Sequence, residues 1–131
     1  MTTTTDYSLD MAECIEEHDG IRYALIIHPE DVSPEGNASA IDEETDAAIL
    51  EEIRGRLDRG DLWAWCVVEC RAVWNGFRGS DFLGGCSYRD SREFRQEGGY
   101  WPDMKAEALG MLRSEITFTR ARIANLPEAL R

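Results

Sequence analysis

The sequence predicts an α+β fold: a two-layer sandwich with about four antiparallel strands in one sheet and two long helices on one face. Three observations predict it. Residues 21–28 (IRYALIIH) and 63–74 (WAWCVVECRAVW) are rich in β-branched and aromatic residues and lie beside turn-forming Asp, Asn and Gly. Residues 41–59 and 104–123 repeat apolar residues at helical spacing. The resulting order is hairpin, helix, hairpin, helix.

The leader, residues 1–8, is polar at its start and is expected to be disordered. Asp19-Gly20 is a two-residue hairpin signal just ahead of the strand at 21–28. Closing there sets Glu17 opposite Arg22, an opposite-charge pair, and Glu16 opposite Tyr23. A competing reading makes Asp10 the N-cap of a short helix through Met11, Cys14, Ile15 and His18, stopped by Gly20, which leaves three strands and three helices. Residues 28–40 (HPEDVSPEGNASA) combine prolines, glycine, asparagine and acids, a surface loop. The first long helix follows, with Ile41, Thr45, Ile49, Ile53 and Leu57 every four residues. Asp42, Glu43, Glu44 and Asp46 crowd its first turns and Arg54, Arg56 and Arg59 its last, complementing the helix dipole. Gly60 then stops it.

Along residues 63–74 one face carries Ala64, Cys66, Val68, Cys70, Ala72 and Trp74, apolar and mostly small, as suits a face beneath a helix. The other carries Trp63, Trp65, Val67, Glu69, Arg71 and Val73. Asn75, Gly76 and Gly79 supply turn chemistry, and residues 82–88 read as the returning strand, with Gly84-Gly85 marking a bulge or close backbone approach. Asp90 with Glu93 forms a capping box for a short turn ended by Gly98-Gly99. Pro102-Asp103 opens the last helix, whose stripe is Met104, Ala108, Leu112, Ile116, Thr119 and Ile123. Pro127 ends it, so residues 9–126 are expected to form one domain and 127–131 a frayed tail.

The chain has 131 residues and a net charge of -12. The excess is local: residues 1–62 hold 17 acidic and 4 basic side chains, a balance of -13, and residues 63–131 hold 9 and 10, a balance of +1. Such a field disfavours direct nucleic-acid contact and speeds encounter with basic protein surfaces. There is no run of roughly 18 apolar residues and no signal-peptide pattern, so a cytoplasmic protein with no membrane partner is expected. Its four cysteines are then expected as thiols. Cys66 and Cys70, about 13 Å apart on one strand, are too distant to bridge.

The segments PEDVSPEGNAS, WAWC, LGGCSY and GYWPDMKAEAL resemble short proteins encoded by phages and plasmids. The resemblance covers roughly residues 29–112. It implies a mobile-element accessory protein with a counter-defence role such as anti-CRISPR activity, and it carries no catalytic residues over.

Asp42, Glu43, Glu44, Asp46, Glu51 and Glu52 fall within about 15 Å of helix, one charge per about 2.7 Å, beside Glu30, Asp31 and Glu35 of the loop. Duplex DNA carries one per roughly 1.7 Å of axis. These acids are expected to occupy a basic, nucleic-acid-binding surface of a host protein, although solvation and dipole compensation account for the same residues without a partner. The second expectation is a homodimer through Trp63, Trp65, Val67 and Val73 on the sheet face away from the helices, unless N-terminal residues or residues 90–101 cover it. Cys66, Cys70 and Cys86 with His18 or His28 lack zinc-motif spacing, so no metal and no cofactor are expected. Glu69 and Arg71 beside Trp65, with Tyr88 and Arg89, read as a surface pair or as cross-strand partners rather than an acid-containing pocket. No phosphate loop, nucleophile elbow or H-E-x-x-H accompanies them, and no enzyme is expected.

Overall fold

Two left-handed dipeptides close the two hairpins of the sheet. In the computed structural model, which describes residues 9–38 and 42–131, Asp19 and Gly20 have φ of 56° and 76°, and Asn75 and Gly76 have 47° and 82°. The expected disordered leader and Ile41 lie outside the described residues. The first turn joins β1 (Cys14–His18) to β2 (Ile21–Pro29), with Glu17 opposite Arg22 and Glu16 opposite Tyr23. Residues 14–18 are therefore a strand, and the competing short helix does not form there. The second turn joins β3 (Cys66–Trp74) to β4 (Phe77–Cys86). β4 thus starts five residues earlier than the glycine pattern predicts, because Gly79 is a strand residue. The antiparallel sheet has the order β1-β2-β3-β4, with β2 and β3 joining the hairpins. Cys66 pairs with Cys86 and Val68 with Leu83, so β4 bulges by one residue at Gly84-Gly85, where Gly85 has φ 64°.

One face of β3 is as expected. Cys66, Val68, Cys70 and Ala72 are buried with Tyr23 and Leu25 beneath Trp101, Met104, Ala108 and Leu112 of α3 (Trp101–Ile123). Gly79 shows how closely the helix approaches: a Cβ there would lie 2.2 Å from the Leu112 nitrogen and 2.7 Å from the Ala108 carbonyl oxygen. Phe94 of α2 (Ser91–Glu97) completes this core, edge-on to Tyr88 at 5.0 Å. Asp90 caps α2 by accepting from the Glu93 N–H at 2.9 Å, and Glu93 reaches back to the Arg89 N–H at 3.1 Å.

The tryptophans depart from the period-two reading. Leu62–Ala64 is a 3-10 turn, so strand alternation begins only at Cys66. The turn rotates Trp63 into the core under α3, while Trp65 packs with Ala64 against Ile53, Ile49 and Leu57 of α1 (Glu43–Asp58). α1 therefore docks on the 3-10 turn and Trp65, whereas α3 takes the broad sheet face. On the opposite face Val73 is buried with Ala24 and Ile26 against Leu9. Trp74, expected beneath a helix, is 44% exposed and stacks on Phe77 beside the turn. The stripe of α3 is buried only as far as Leu112; Ile116 and Thr119 are half-buried and Ile123 is 55% exposed. Among the described residues no helix is long and apolar enough to cross a membrane.

Candidate functional site

The nine candidate acids have different local roles. Asp42 caps α1, accepting from the Thr45 N–H at 2.7 Å and the Thr45 hydroxyl at 3.0 Å, which holds its carboxyl below the ordinary value. Glu30 accepts from the Gly85 N–H at 2.6 Å and the Val32 N–H at 3.1 Å, tying the loop to the β4 bulge. Those two backbone donors lower its pKa as well. Glu35 is paired with Arg54 across the loop and α1. Asp46 is partly buried, and one of its carboxylate oxygens is shielded without a hydrogen bond. Glu52 lines a polar cleft with Arg56, Asp61 and residues of the β4–α2 connection. Asp31, Glu43, Glu44 and Glu51 remain: all are exposed, and none forms an ion pair among the described residues. Of the candidate acids, α1 thus presents Glu43, Glu44, Glu51 and, at the cleft margin, Glu52. Four charges over ten residues give one per about 4 Å of helix, nearer the roughly 3.4 Å spacing of one DNA strand than that of the duplex.

The expected dimer patch is not a surface. Trp63, Trp65 and Val73 are 7%, 4% and 3% exposed, and Val67 is half-buried. The Trp63 Nε1–H donates to Glu13 at 2.9 Å and the Trp65 Nε1–H to the Val32 carbonyl at 2.7 Å, so both indoles are satisfied within the chain. On the face of β3 that carries Val67 and Val73, Glu69 and Arg71 form a buried cross-strand cluster rather than a surface pair. Glu69 is 2% exposed. It accepts from Arg71 Nε at 2.7 Å and Nη2 at 3.0 Å, from the Ser80 hydroxyl at 2.6 Å, and from His28 Nε2 at 2.7 Å. Burial alone raises its pKa, but these donors and the Arg71 charge outweigh that and hold it below the ordinary value. Strand register could have revealed it: Glu69 lies between Ile26 and Phe82, with Ser80 diagonal on the adjoining strand.

A second carboxylate, Glu16 on β1, joins three elements. It accepts from Trp101 Nε1 at 3.2 Å and Lys105 Nζ at 2.9 Å on α3, and it lies 3.6 Å from Arg95 Nη1 on α2. Its long sequence separation from these partners hides it from any local pattern. Arg56 pairs with Asp61 just past its own helix at 2.7 Å and ties α1 to the β4–α2 connection by donating to the Tyr88 carbonyl at 2.6 Å. The cleft beside it, about 390 Å³, also receives Ser87, Arg89 and Glu93, and Arg89 is 3.7 Å from Glu93. It offers fixed charges of both signs, with no nucleophile hydrogen-bonded to a base among the described residues.

All four cysteines are free thiols. Cys66 and Cys86 face each other across β3 and β4. Burial pushes Cys66 and Cys70 up to about 12 and Cys86 to about 11, so they are held as packing residues rather than thiolates. Among the described residues no group of three or more His, Cys, Asp or Glu could hold a metal ion. No protein-family model matches the sequence, no curated protein is significantly similar to it, and no solved structure matches its fold.

Proposed function

We propose that the protein binds a basic, nucleic-acid-binding surface of another protein through the outward acids of α1 and blocks that surface to nucleic acid. The observation that supports this reading is the contrast between engaged and unengaged carboxylates. Asp42, Glu30 and Glu35 are tied up in caps, backbone contacts and an ion pair, whereas Glu43, Glu44 and Glu51 project from one helix and form no ion pair among the described residues. Ile53, buried against Ala64 and Trp65, anchors that helix, so the charges are presented with little ordering cost on binding. The resemblance to phage and plasmid proteins makes a host nucleic-acid-binding protein, such as a defence component, the expected partner, and counter-defence the expected role.

The test is affinity capture from host lysate at low and moderate salt, with native protein and with Glu43→Lys/Glu44→Lys/Glu51→Lys. A basic nucleic-acid-binding protein is expected on the native bait at low salt. It should be released by moderate salt or by added duplex DNA and be absent from the charge-reversed bait. A partner that ignores the reversal sinks the reading.

A further inference from the structure

We propose that the free edge of β4, with the adjoining ridge of α3, is the surface on which a second copy of this chain docks, extending the sheet across a two-fold axis at Ser80. Among the described residues no strand lies beyond β4, which at ten residues is the longest in the sheet. The opposite edge, β1, has five residues and carries Glu16 and Glu17, flanked by Glu13 and Asp19, so two copies of it would repel each other. β4 carries only Arg78 and Asp81, one charge of each sign. The half of the chain supplying this surface, residues 63–131, has a net charge of +1, so two copies meet there without the repulsion of the acidic half.

The hairpin geometry determines what this edge offers. A two-residue turn makes Trp74 and Phe77 the closing pair, exchanging both hydrogen bonds. Phe77, Gly79 and Asp81 therefore direct their backbone groups to β3, and Arg78, Ser80 and Phe82 direct theirs to the open side. A second β4 running antiparallel can match all three outward residues clear of the bulge only with Ser80 opposite Ser80. Shifting one way loses a pair to the turn at Gly76, and shifting the other way enters the bulge at Gly84-Gly85. The centred register places Arg78 opposite Phe82 of the second copy, twice by symmetry. The two side chains are exposed, and a guanidinium over an aromatic face is attractive.

The helix layer fits the same axis. α3 lies over β4, its backbone pressed on Gly79. Met111 and Phe118, 55% and 60% exposed, project seven residues apart on one side of α3, clear of the stripe that faces the sheet. The stripe's other flank, Lys105, reaches toward β1 through Glu16, so Met111 and Phe118 overhang the free edge of β4. Paired β4 strands are about 4.8 Å apart, and helices riding just inside them come within roughly 8–10 Å, the spacing of packed helices. Met111 and Phe118 then close the gap between the two α3 helices, and Phe82 is covered from the other face.

Sedimentation equilibrium of the native chain and of Phe82→Lys and Phe118→Lys tests the proposal, with far-UV circular dichroism reporting folding. The native chain is expected at twice its 14.9 kDa mass. Each substitution, at a side chain already mostly in solvent, should raise the dissociation constant at least about tenfold with an unchanged spectrum. If a lysine variant fails to fold, the cross-link decides. Arg78→Cys/Phe82→Cys places two thiols about 13 Å apart on one strand, too far to bridge within a chain, so mild oxidation should give a covalent dimer. A native chain that is monomeric up to about 1 mM, the weak end of specific association, overturns the proposal. So does a dimer indifferent to both lysines, or a double-cysteine chain that does not cross-link.

Discussion

Glu69 shows how a single side chain changes meaning once its register is known. Read along the strand, it is an acid two residues from an arginine; across the strands, it is a buried carboxylate with four donor contacts. Glu69→Gln keeps the shape but removes the carboxylate charge that Arg71 and His28 face, and should cost about 3 kcal/mol in urea unfolding, the lower range for breaking a buried pair. Gly79 is the matching case of an absent side chain. Because the atoms crowding a Cβ there belong to the α3 backbone, Gly79→Ala cannot be relieved by a rotamer change. A loss of about 3 kcal/mol is expected by thermal or chemical denaturation. Cross-strand pairing of Glu69 was one of the readings open from the sequence, but its burial was not legible, and neither was the close approach at Gly79, which depends on where a helix lands on the strand. Asp19-Gly20 was legible, down to the Glu17–Arg22 pair, because a two-residue turn fixes its own register.

At the scale of elements, α1 follows from local rules, acids at one end and basic residues at the other, but Asp42, expected in its first turn, is instead its cap, accepting from Thr45. The docking place of α1 does not follow from local rules, because the apolar stripe says that a face is buried without saying against what. The 3-10 turn at Leu62–Ala64 shifted the tryptophans for a related reason: period-two alternation extrapolated across a non-strand segment inverts the side assigned to each residue. The acids of the candidate site were likewise legible as a cluster but not in their division between engaged and outward groups. α3 carries its own consequence. Of its 23 residues, those past Leu112 have no buried side chain. Amides beyond Thr119 should therefore exchange with deuterium orders of magnitude faster than those between Met104 and Leu112. Uniform protection along the helix would contradict this account.

For the molecule as a whole, Glu16 and Glu69 couple stability to pH. Burial raises the pKa of each, but hydrogen bonds from Lys105 and Trp101 in one case, and from Arg71, Ser80 and His28 in the other, leave both below the ordinary glutamate value. A depressed folded-state pKa means that the stabilisation is complete above the unfolded value, about 4.3, and is lost as pH falls through the folded value. Unfolding free energy should therefore be insensitive to these groups near neutrality and fall progressively below about pH 4.3. Glu69→Gln and Glu16→Gln should each shallow that acid limb, leaving the part that Asp42 and Glu30 contribute; the check is urea titration at a series of pH values.

The joining of β2 to β3 also has a kinetic side. Each hairpin closes over two residues, but the strands that unite the hairpins are separated by 36 residues, including all of α1. Local turns of this kind form in microseconds, whereas bringing distant strands together must overcome chain entropy before their contacts repay it. The rate of folding should then be governed by β2 meeting β3, and both hairpins would be transient until they meet. During that interval the small, apolar inner face of β3 is exposed to solvent, and nascent chains are most vulnerable to association with one another before α3 arrives to cover it.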